Sequence, residues 1–332
     1  MNKTINNAFD LQLPSLLKVK KKLRNKTFFI TGATGFFGKC ILETLINLNN
    51  KYCLNLKIYA LSRNPDQFIM EHPYLAKHSY ITFIKGDIRD FSLPAKFHCD
   101  YVIHGATEAN YKTKGMYSVI VDGTKHLLDE VNKNSMRTKL VFISSGGVYG
   151  CQPSALSHIS EDFICNPTTP YGQGKLAAEK LCLNSDISTS IARCFAFVGP
   201  YLPLNRHFTI GNFILNGLKK EPIIIKSDGK SCRSYMYSFD LVVWLLKILF
   251  EGKNGEAYNV GSEEAISIAE LGNLVNKCFG SKLELKILGK PVPGASELYV
   301  PSTLKAKKEL DLSCVVGLED AIKKTIEWHL NH

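Results

Sequence analysis

The 332-residue chain has no cysteine pair at C-x-x-C spacing and no histidine cluster at the intervals zinc requires, although it carries ten cysteines. Structural zinc and a thioredoxin-like redox motif are therefore excluded. Cysteines such as Cys194, set in the apolar run IARCFAFVG, read as small reduced hydrophobes. A reducing cytoplasm is the expected compartment. The longest oily stretch, Leu241 to Phe250, is broken by Lys247 and falls short of the ~20 apolar residues of a membrane-spanning helix. Residues 1–26 end in KVKKKLR without an apolar core followed by small residues, so they read as a charged N-terminal extension and not a secretory leader. Internal repeats and low-complexity tracts are missing too, and 24 glycines with 13 prolines exclude a fibrous or disordered chain.

What is present is an ordinary globular composition, 45% hydrophobic and 21% charged, long enough for one large domain or two joined ones. Lys and Arg exceed Asp and Glu by 41 to 30, a formal charge of +11. Such an excess suits nucleic acid, an anionic membrane or a phosphorylated small molecule. The basic residues are dispersed apart from Lys18 to Arg24, which argues against nucleic acid.

Short β-branched and aromatic runs recur as TFFIT (27–31), LKIYALS (56–62), ITFIKGD, YVIHGA and KLVFISS, with helical patterns such as 117–132 between some of them. Strands alternating with helices predict a doubly wound α/β fold with a parallel sheet covered on both faces. Beyond Arg193 to Pro200 the pattern changes to helices around 210–220, 239–250 and 268–279 with short strands PIIIK and EAYNVG.

The turn Thr31-Gly32-Ala33-Thr34-Gly35-Phe36-Phe37-Gly38 spaces glycines by three, directly after a strand and opening a helix. Gly32 suits a tight turn, Gly35 lets backbone approach a pyrophosphate, and Gly38 permits close helix packing. The helix N-terminus attracts the negative charge. A dinucleotide site built from Gly32, Thr34, Gly35, Phe36, Phe37 and Gly38 follows. It divides the chain into a 1–26 extension, a Rossmann domain over 27–195 and a smaller α/β substrate-binding region over 196–332 with segments that return to the first. Ser62 and Arg63 stand at the end of the second strand, where NAD enzymes offer a carboxylate. A cation there accommodates the 2′-phosphate of NADP, so NADP(H) is expected over NAD(H), with an exposed arginine beside a turn as the ordinary alternative.

Tyr171 and Lys175 are four residues apart in YGQGKLAAEK, so one helical turn brings them onto one face. An ammonium beside a phenol stabilises the phenolate, and the pair predicts a tyrosine of lowered pKa acting in proton transfer.

Together these segments resemble the extended short-chain dehydrogenase/reductases, the NAD-dependent epimerase/dehydratase family of nucleotide-sugar enzymes. The resemblance implies that Ser145, in VFISSGGVYG, is the catalytic hydroxyl beside Tyr171 and Lys175. It implies that Asp87 and Ile88 contact adenine, that His104 and Ala106 line the cofactor turn, and that Arg233, in GKSCRSYMYSFD, forks onto a sugar-nucleotide diphosphate. Family 4,6-dehydratases carry an acidic pair after the catalytic hydroxyl residue. Here Gly146 and Gly147 stand there, so elimination would need carboxylates such as Glu161 or Asp162, and a decarboxylase is disfavoured likewise. Ile120 and Ala196 also replace asparagines common in the family.

The implied activity is NAD(P)H-dependent reduction of a nucleotide-activated 4-keto-6-deoxyhexose, close in kind to the dTDP-4-keto-6-deoxyglucose reductases of surface-polysaccharide and O-antigen assembly. A nucleotide-sugar 4-epimerase is the enzymatic alternative, and an NADP-binding sensor or scaffold the non-enzymatic one. The expected partners are a nucleotide-diphosphate sugar and a second copy of the chain, met through 117–132 and 168–183. No metal, nucleic acid or membrane is expected.

Overall fold

The computed structural model of the chain describes residues 3–107, 115–134, 137–206, 208–280, 283–290 and 297–332. Seven parallel strands form its main sheet: β1 (Thr27–Thr31), β2 (Lys57–Ser62), β3 (Ile81–Lys85), β4 (Tyr101–His104), β5 (Lys139–Ser145), β6 (Ser188–Cys194) and a later strand, Ala257–Val260. Their order across the sheet is β3, β2, β1, β4, β5, β6 and then the late strand. The order reverses between β1 and β4, and such a reversal opens a crevice at the C-terminal strand ends. The predicted strands thus form, with ends one or two residues shorter where turn residues follow.

The sheet's centre is buried on both faces, where β1, β4 and β5 are mostly apolar, while the edge strand β3 is only partly covered. Within β1, Phe28 and Ile30 point into one core and Phe29 into the other. The first core receives α2 (Phe36–Tyr52); α3 (Pro65–Glu71) and α4 (Pro73–Ala76) sit at the β3 edge. The second core receives α5 (Met116–Asn134) and α6 (Pro170–Leu183), which pack side by side.

After β6 come β7 (Phe197–Val198), α7 (Thr209–Lys219), β8 (Ile223–Ile225), β9 (Cys232–Arg233), β10 (Met236–Tyr237) and α8 (Ser238–Glu251). The late sheet strand, β11, precedes β12 (Ile266–Ser267), α9 (Ile268–Phe279), β13 (Leu285–Ile287), β14 (Leu298–Tyr299), α10 (Leu304–Leu310) and α11 (Leu318–Leu330). The helix α9 starts on a capping box in which Ser267 and Glu270 satisfy each other's backbone N–H groups. β8 pairs with β13, while β9 is flanked by β12 and β14, so the second lobe is held by short ladders.

The N-terminal extension is part of the core. Residues Lys3–Val19 form helix α1, packed on α8, with Leu16, Val19 and Leu23 buried. Pro14 inside this helix and the lysine run at its end hid it in the sequence. Covered by α1 on one side and the sheet on the other, α8 is buried from Ser238 through Phe250 and shows no polar stripe. Its Asp240 accepts from the Val315 and Val316 N–H groups at 3.1 Å and from Gln12, while burial raises its carboxyl to about 6. Lys247, which interrupts the oily run, donates to the Leu310 carbonyl at 2.7 Å.

Behind β5 a buried fork joins three elements. Arg193 of β6 reaches Glu179 of α6 through Nε (3.2 Å) and Nη2 (2.9 Å), and its Nη1 donates to the Tyr149 hydroxyl at 3.0 Å. Tyr149 donates on to Asn259 of β11 at 2.7 Å, and Ser144 of β5 bonds Glu179. Removing one charge strands the other. Glu179→Ala is expected to cost about 3–5 kcal/mol in urea unfolding, and Glu179→Leu with Arg193→Met to recover most of it.

Candidate active site

The crevice at the β1/β4 reversal is a cleft of about 800 Å³ running from the glycine turn to the second lobe. Gly32, just after β1, has φ +74°, and a Cβ there would stand 2.7 Å from the Gly105 carbonyl oxygen. At Gly38 a Cβ would stand 2.2 Å from the Gly32 oxygen, so the first turn of α2 sits on the loop with only hydrogen atoms between. Gly35 precedes the first residue of α2, whose opening N–H groups face the cleft that Thr34, Phe36 and Phe37 also line.

His104 does not line this cleft. Its ring is buried, with Nδ1 2.7 Å from Thr31 Oγ1 and Nε2 2.9 Å from Thr124 Oγ1. Thr124 donates to the Ile120 carbonyl, so its oxygen accepts from His104 Nε2–H, and Nδ1 accepts from Thr31. Thr31 Oγ1 then accepts from the Gly105 and Ala106 N–H groups, each at 3.2 Å. Burial holds this neutral imidazole, its pKa lowered to about 3. His104 shapes the turn from behind, and Ala106 is the residue of that turn that reaches the cleft.

At one end of the cleft stand Arg63, following β2, with Asp87 and Ile88, following β3. Arg89 clasps the Asp87 carboxylate through Nε (2.7 Å) and Nη2 (3.2 Å), which holds that carboxyl below its usual range. At the other end Ser145, Tyr171 and Lys175 converge, and Arg233 faces them from the second lobe.

These features fit a pyridine dinucleotide: a tight glycine turn whose backbone packing leaves no room for a side chain at Gly32 or Gly38, the N-terminus of α2 beside it, and polar groups at both ends of the cleft. A family model described as "NAD dependent epimerase/dehydratase family" matches residues 28–261. The chain belongs to this family. Among its relatives are UDP-glucose 4-epimerase 4 of Oryza sativa subsp. japonica, 27% identical over 92% of this chain and 90% of that protein, and dTDP-glucose 4,6-dehydratase of Salmonella typhimurium, 26% identical over 91% and 92%. The same fold occurs in UDP-glucuronic acid 4-epimerase from Bacillus cereus, solved with UDP-glucuronic acid and NAD, at TM-score 0.78 and 24% identity over 92% of this chain and 99% of that one.

Within the epimerase/dehydratase frame, the proton chemistry departs from expectation. Lys175 Nζ donates to the Ile143 carbonyl at 2.8 Å and lies over the Phe142 ring, 4.8 Å from its centroid and 5.9 Å from that of Tyr171. Its side chain has turned toward the β5 backbone, so it does not acidify the phenol in this state. Burial instead raises Tyr171 to about 12, opposed by its interaction with Ser145. Tyr171 is therefore a neutral acid at physiological pH. Burial lowers Lys175 itself to about 8, against the partial support of Cys194, Cys182 and Glu179.

Among the described residues lining the cleft, Asp87 is the single carboxylate, and it lies at the end away from Tyr171. Glu161 instead accepts the Asn259 backbone N–H at 2.7 Å, outside the cleft. Among the lining residues that the sequence reading did not assign to the site are Phe195, Arg206, Tyr235 and Tyr299. Phe195 and Tyr235 lay within the quoted runs RCFAFVGP and GKSCRSYMYSFD, whereas Arg206 comes from a loop and Tyr299 from a two-residue strand too short to show periodicity. Arg233 pairs with Glu297 at 3.0 Å and stands over the Tyr299 ring, 5.6 Å from its centroid.

Because burial penalises the charged lysine, Lys175→Met is expected to leave stability at pH 7 undiminished while abolishing activity. The depressed value also sets a sign: relative to that variant, the native protein gains stability as pH rises from about 8 to the ordinary lysine value of 10.5. The gain is about 3 kcal/mol, readable from urea unfolding across that range.

Proposed function

We propose that the protein is a nucleotide-sugar 4-epimerase, removing and restoring hydrogen at C4 of a nucleotide-diphosphate hexose without loss of water. The observation that carries this is that none of the described residues lining the Ser145–Tyr171 end of the cleft is a carboxylate. Relatives named dehydratase, decarboxylase and epimerase all resemble this chain, and the first two chemistries call for acid and base beside the serine. Gly146 and Gly147 have no side chain to supply them, and the Tyr299 hydroxyl fills the space, 2.8 Å from where a Cβ on Gly146 would stand. Exchange at C4 needs one proton moved at O4, which a phenol and a serine hydroxyl can serve.

In this reading Tyr171 exchanges a proton with O4, Ser145 orients that oxygen, and Lys175 holds positive charge where a phenolate forms. Arg233 forks onto the diphosphate and fixes the sugar over the reaction centre. The glycine turn, Asp87 and Ile88 hold the dinucleotide. A bound pyridine dinucleotide supplies the hydride acceptor and donor.

Reduction of a 4-keto-6-deoxyhexose is the second reading, favoured by two observations. Arg63 lines the cleft just after β2, a position at which a cation suits the 2′-phosphate of an exchangeable NADP, and a Tyr171 held neutral is poised to donate. Cofactor release from the denatured protein and product analysis on UDP- and dTDP-hexoses separate the two. Epimerisation is expected to give the C4 epimer with no net change in reduced cofactor. Stoichiometric NADPH oxidation on a ketosugar would establish reduction in its place, and a 4-keto-6-deoxy product from an unmodified hexose would overturn both. Tyr171→Phe is expected to lower kcat at least 100-fold with cofactor binding retained. Arg63→Ala should weaken NADPH binding while leaving NADH binding unchanged if reduction is the activity.

A further inference from the structure

The segment 199–206, between β7 and α7, brings Leu202 and Arg206 to the wall of the cleft. Tyr201 within it has φ +68°, a left-handed backbone that a bulky residue seldom adopts. Such a conformation persists only where its surroundings hold it. Here the side chain is held from behind the wall. The buried Tyr201 hydroxyl donates to Glu43 Oε2 of α2 at 2.8 Å and accepts from the Tyr74 hydroxyl of α4 at 3.1 Å. Its ring lies against Trp328 of α11, with centroids 4.9 Å apart, and Lys39 Nζ stands 5.8 Å from its centroid.

The backbone around Tyr201 is fixed by the same two helices. Cys40 Sγ of α2 donates to the Pro200 carbonyl at 3.7 Å, and His329 Nε2 of α11 donates to the Leu202 carbonyl at 3.1 Å. The Leu202 N–H closes a turn on the Gly199 carbonyl at 3.2 Å. Further along, α7 abuts the segment, since a Cβ on Gly211 would stand 3.0 Å from the Pro203 oxygen. Between Tyr201 and Arg206 lie Pro203, whose ring fixes φ, and Leu204, which is buried, so little slack separates the anchor from the guanidinium. Glu43 is the acceptor on which the anchor depends. It is buried, and its other oxygen accepts only a longer bond from Asn47, at 3.5 Å. Removing the Tyr201 hydroxyl therefore leaves a buried acceptor without its better donor.

We propose that Tyr201 is a positioning residue for the substrate: its hydroxyl, donated to Glu43, latches the 199–206 segment to α2 and so fixes Arg206 in the cleft wall, where that guanidinium grips a nucleotide diphosphate. This rests on the reading of the ligand as a nucleotide-diphosphate sugar. A guanidinium suits phosphate oxygens, and Arg233 is already tied to the Glu297 carboxylate at 3.0 Å, so a second arginine complements it. The latch also accounts for a tyrosine in a left-handed position. Glycine would meet the backbone demand at less strain and would lose the tether.

The test is Tyr201→Phe, which keeps the ring against Trp328 and removes only the hydroxyl, with UDP and dTDP as calorimetric probes. Kd for the nucleotide that the native protein binds is expected to rise about tenfold, the scale of one lost hydrogen bond, with affinity for the pyridine dinucleotide changed less than twofold. Glu43→Gln keeps an acceptor oxygen and should change that Kd less than twofold. In an Arg206→Ala background, itself weakened about tenfold, Tyr201→Phe should cost less than twofold, because the residue it acts through is gone. Equal losses in both backgrounds, or a Tyr201→Phe variant that lowers Tm and leaves nucleotide affinity intact, would overturn the proposal. A second readout needs no ligand: hydrogen exchange of peptides spanning 199–206 is expected to quicken about tenfold in Tyr201→Phe and to stay unchanged in Glu43→Gln, and unchanged exchange in Tyr201→Phe overturns the latch. A native protein that binds neither nucleotide defeats the proposed function, while the exchange rates still decide the role of Tyr201.

Discussion

A lysine ammonium taken out of water and held on the Ile143 carbonyl is the constraint on which the rest of the site depends. A charge buried this deeply survives only with a hydrogen-bond acceptor at hand and polarisable neighbours around it. The last turn of β5 provides the acceptor, and the Phe142 ring provides a face. The same water-excluded corner makes Tyr171 a weak acid, so this end of the cleft holds one positive charge and neutral hydroxyls, with no carboxylate among its described lining residues.

Close approach is the second organising idea. At Gly32 and Gly38 the backbone folds so tightly on itself that no side chain fits, which lets the start of α2 pack directly onto the turn. At Gly146 the missing atom serves a different end, admitting a phenol from the second lobe to the tip of β5. The second lobe thus contributes more than a cover. Through β9 and β14 it brings Arg233 and Tyr299 to the reaction end in fixed register. The fork of Arg193 on Glu179 meanwhile secures α6, the helix that carries Tyr171 and Lys175, to the strands beside it.

Much of this was legible in the chain. Strands such as TFFIT and KLVFISS announce themselves because both faces of a covered parallel sheet demand apolar residues at every position. The glycine turn is legible because each glycine answers a steric demand of the loop. Helix α1 was hidden because Pro14 and its terminal lysines mask the apolar face that α8 supplies with a partner. A return of part of 196–332 to the first domain was expected, but which strand makes it was not, because a short run such as Ala257–Val260 looks alike in either lobe.

The amino-acid sequence by itself determined the doubly wound fold, the dinucleotide turn and the Ser145, Tyr171 and Lys175 constellation, since each rests on local spacing and on the chemistry of the residue type. Tertiary structure alone decided the proton balance. Spacing brings Lys175 near Tyr171, but the Ile143 carbonyl turns the ammonium toward β5, and burial makes the phenol less acidic where proximity predicted more. The placement of His104 behind the turn and of the Tyr299 hydroxyl beside Gly146 likewise depended on contacts between segments distant in the chain, because desolvation and close packing are properties of an enclosed volume and have no signature in a linear pattern.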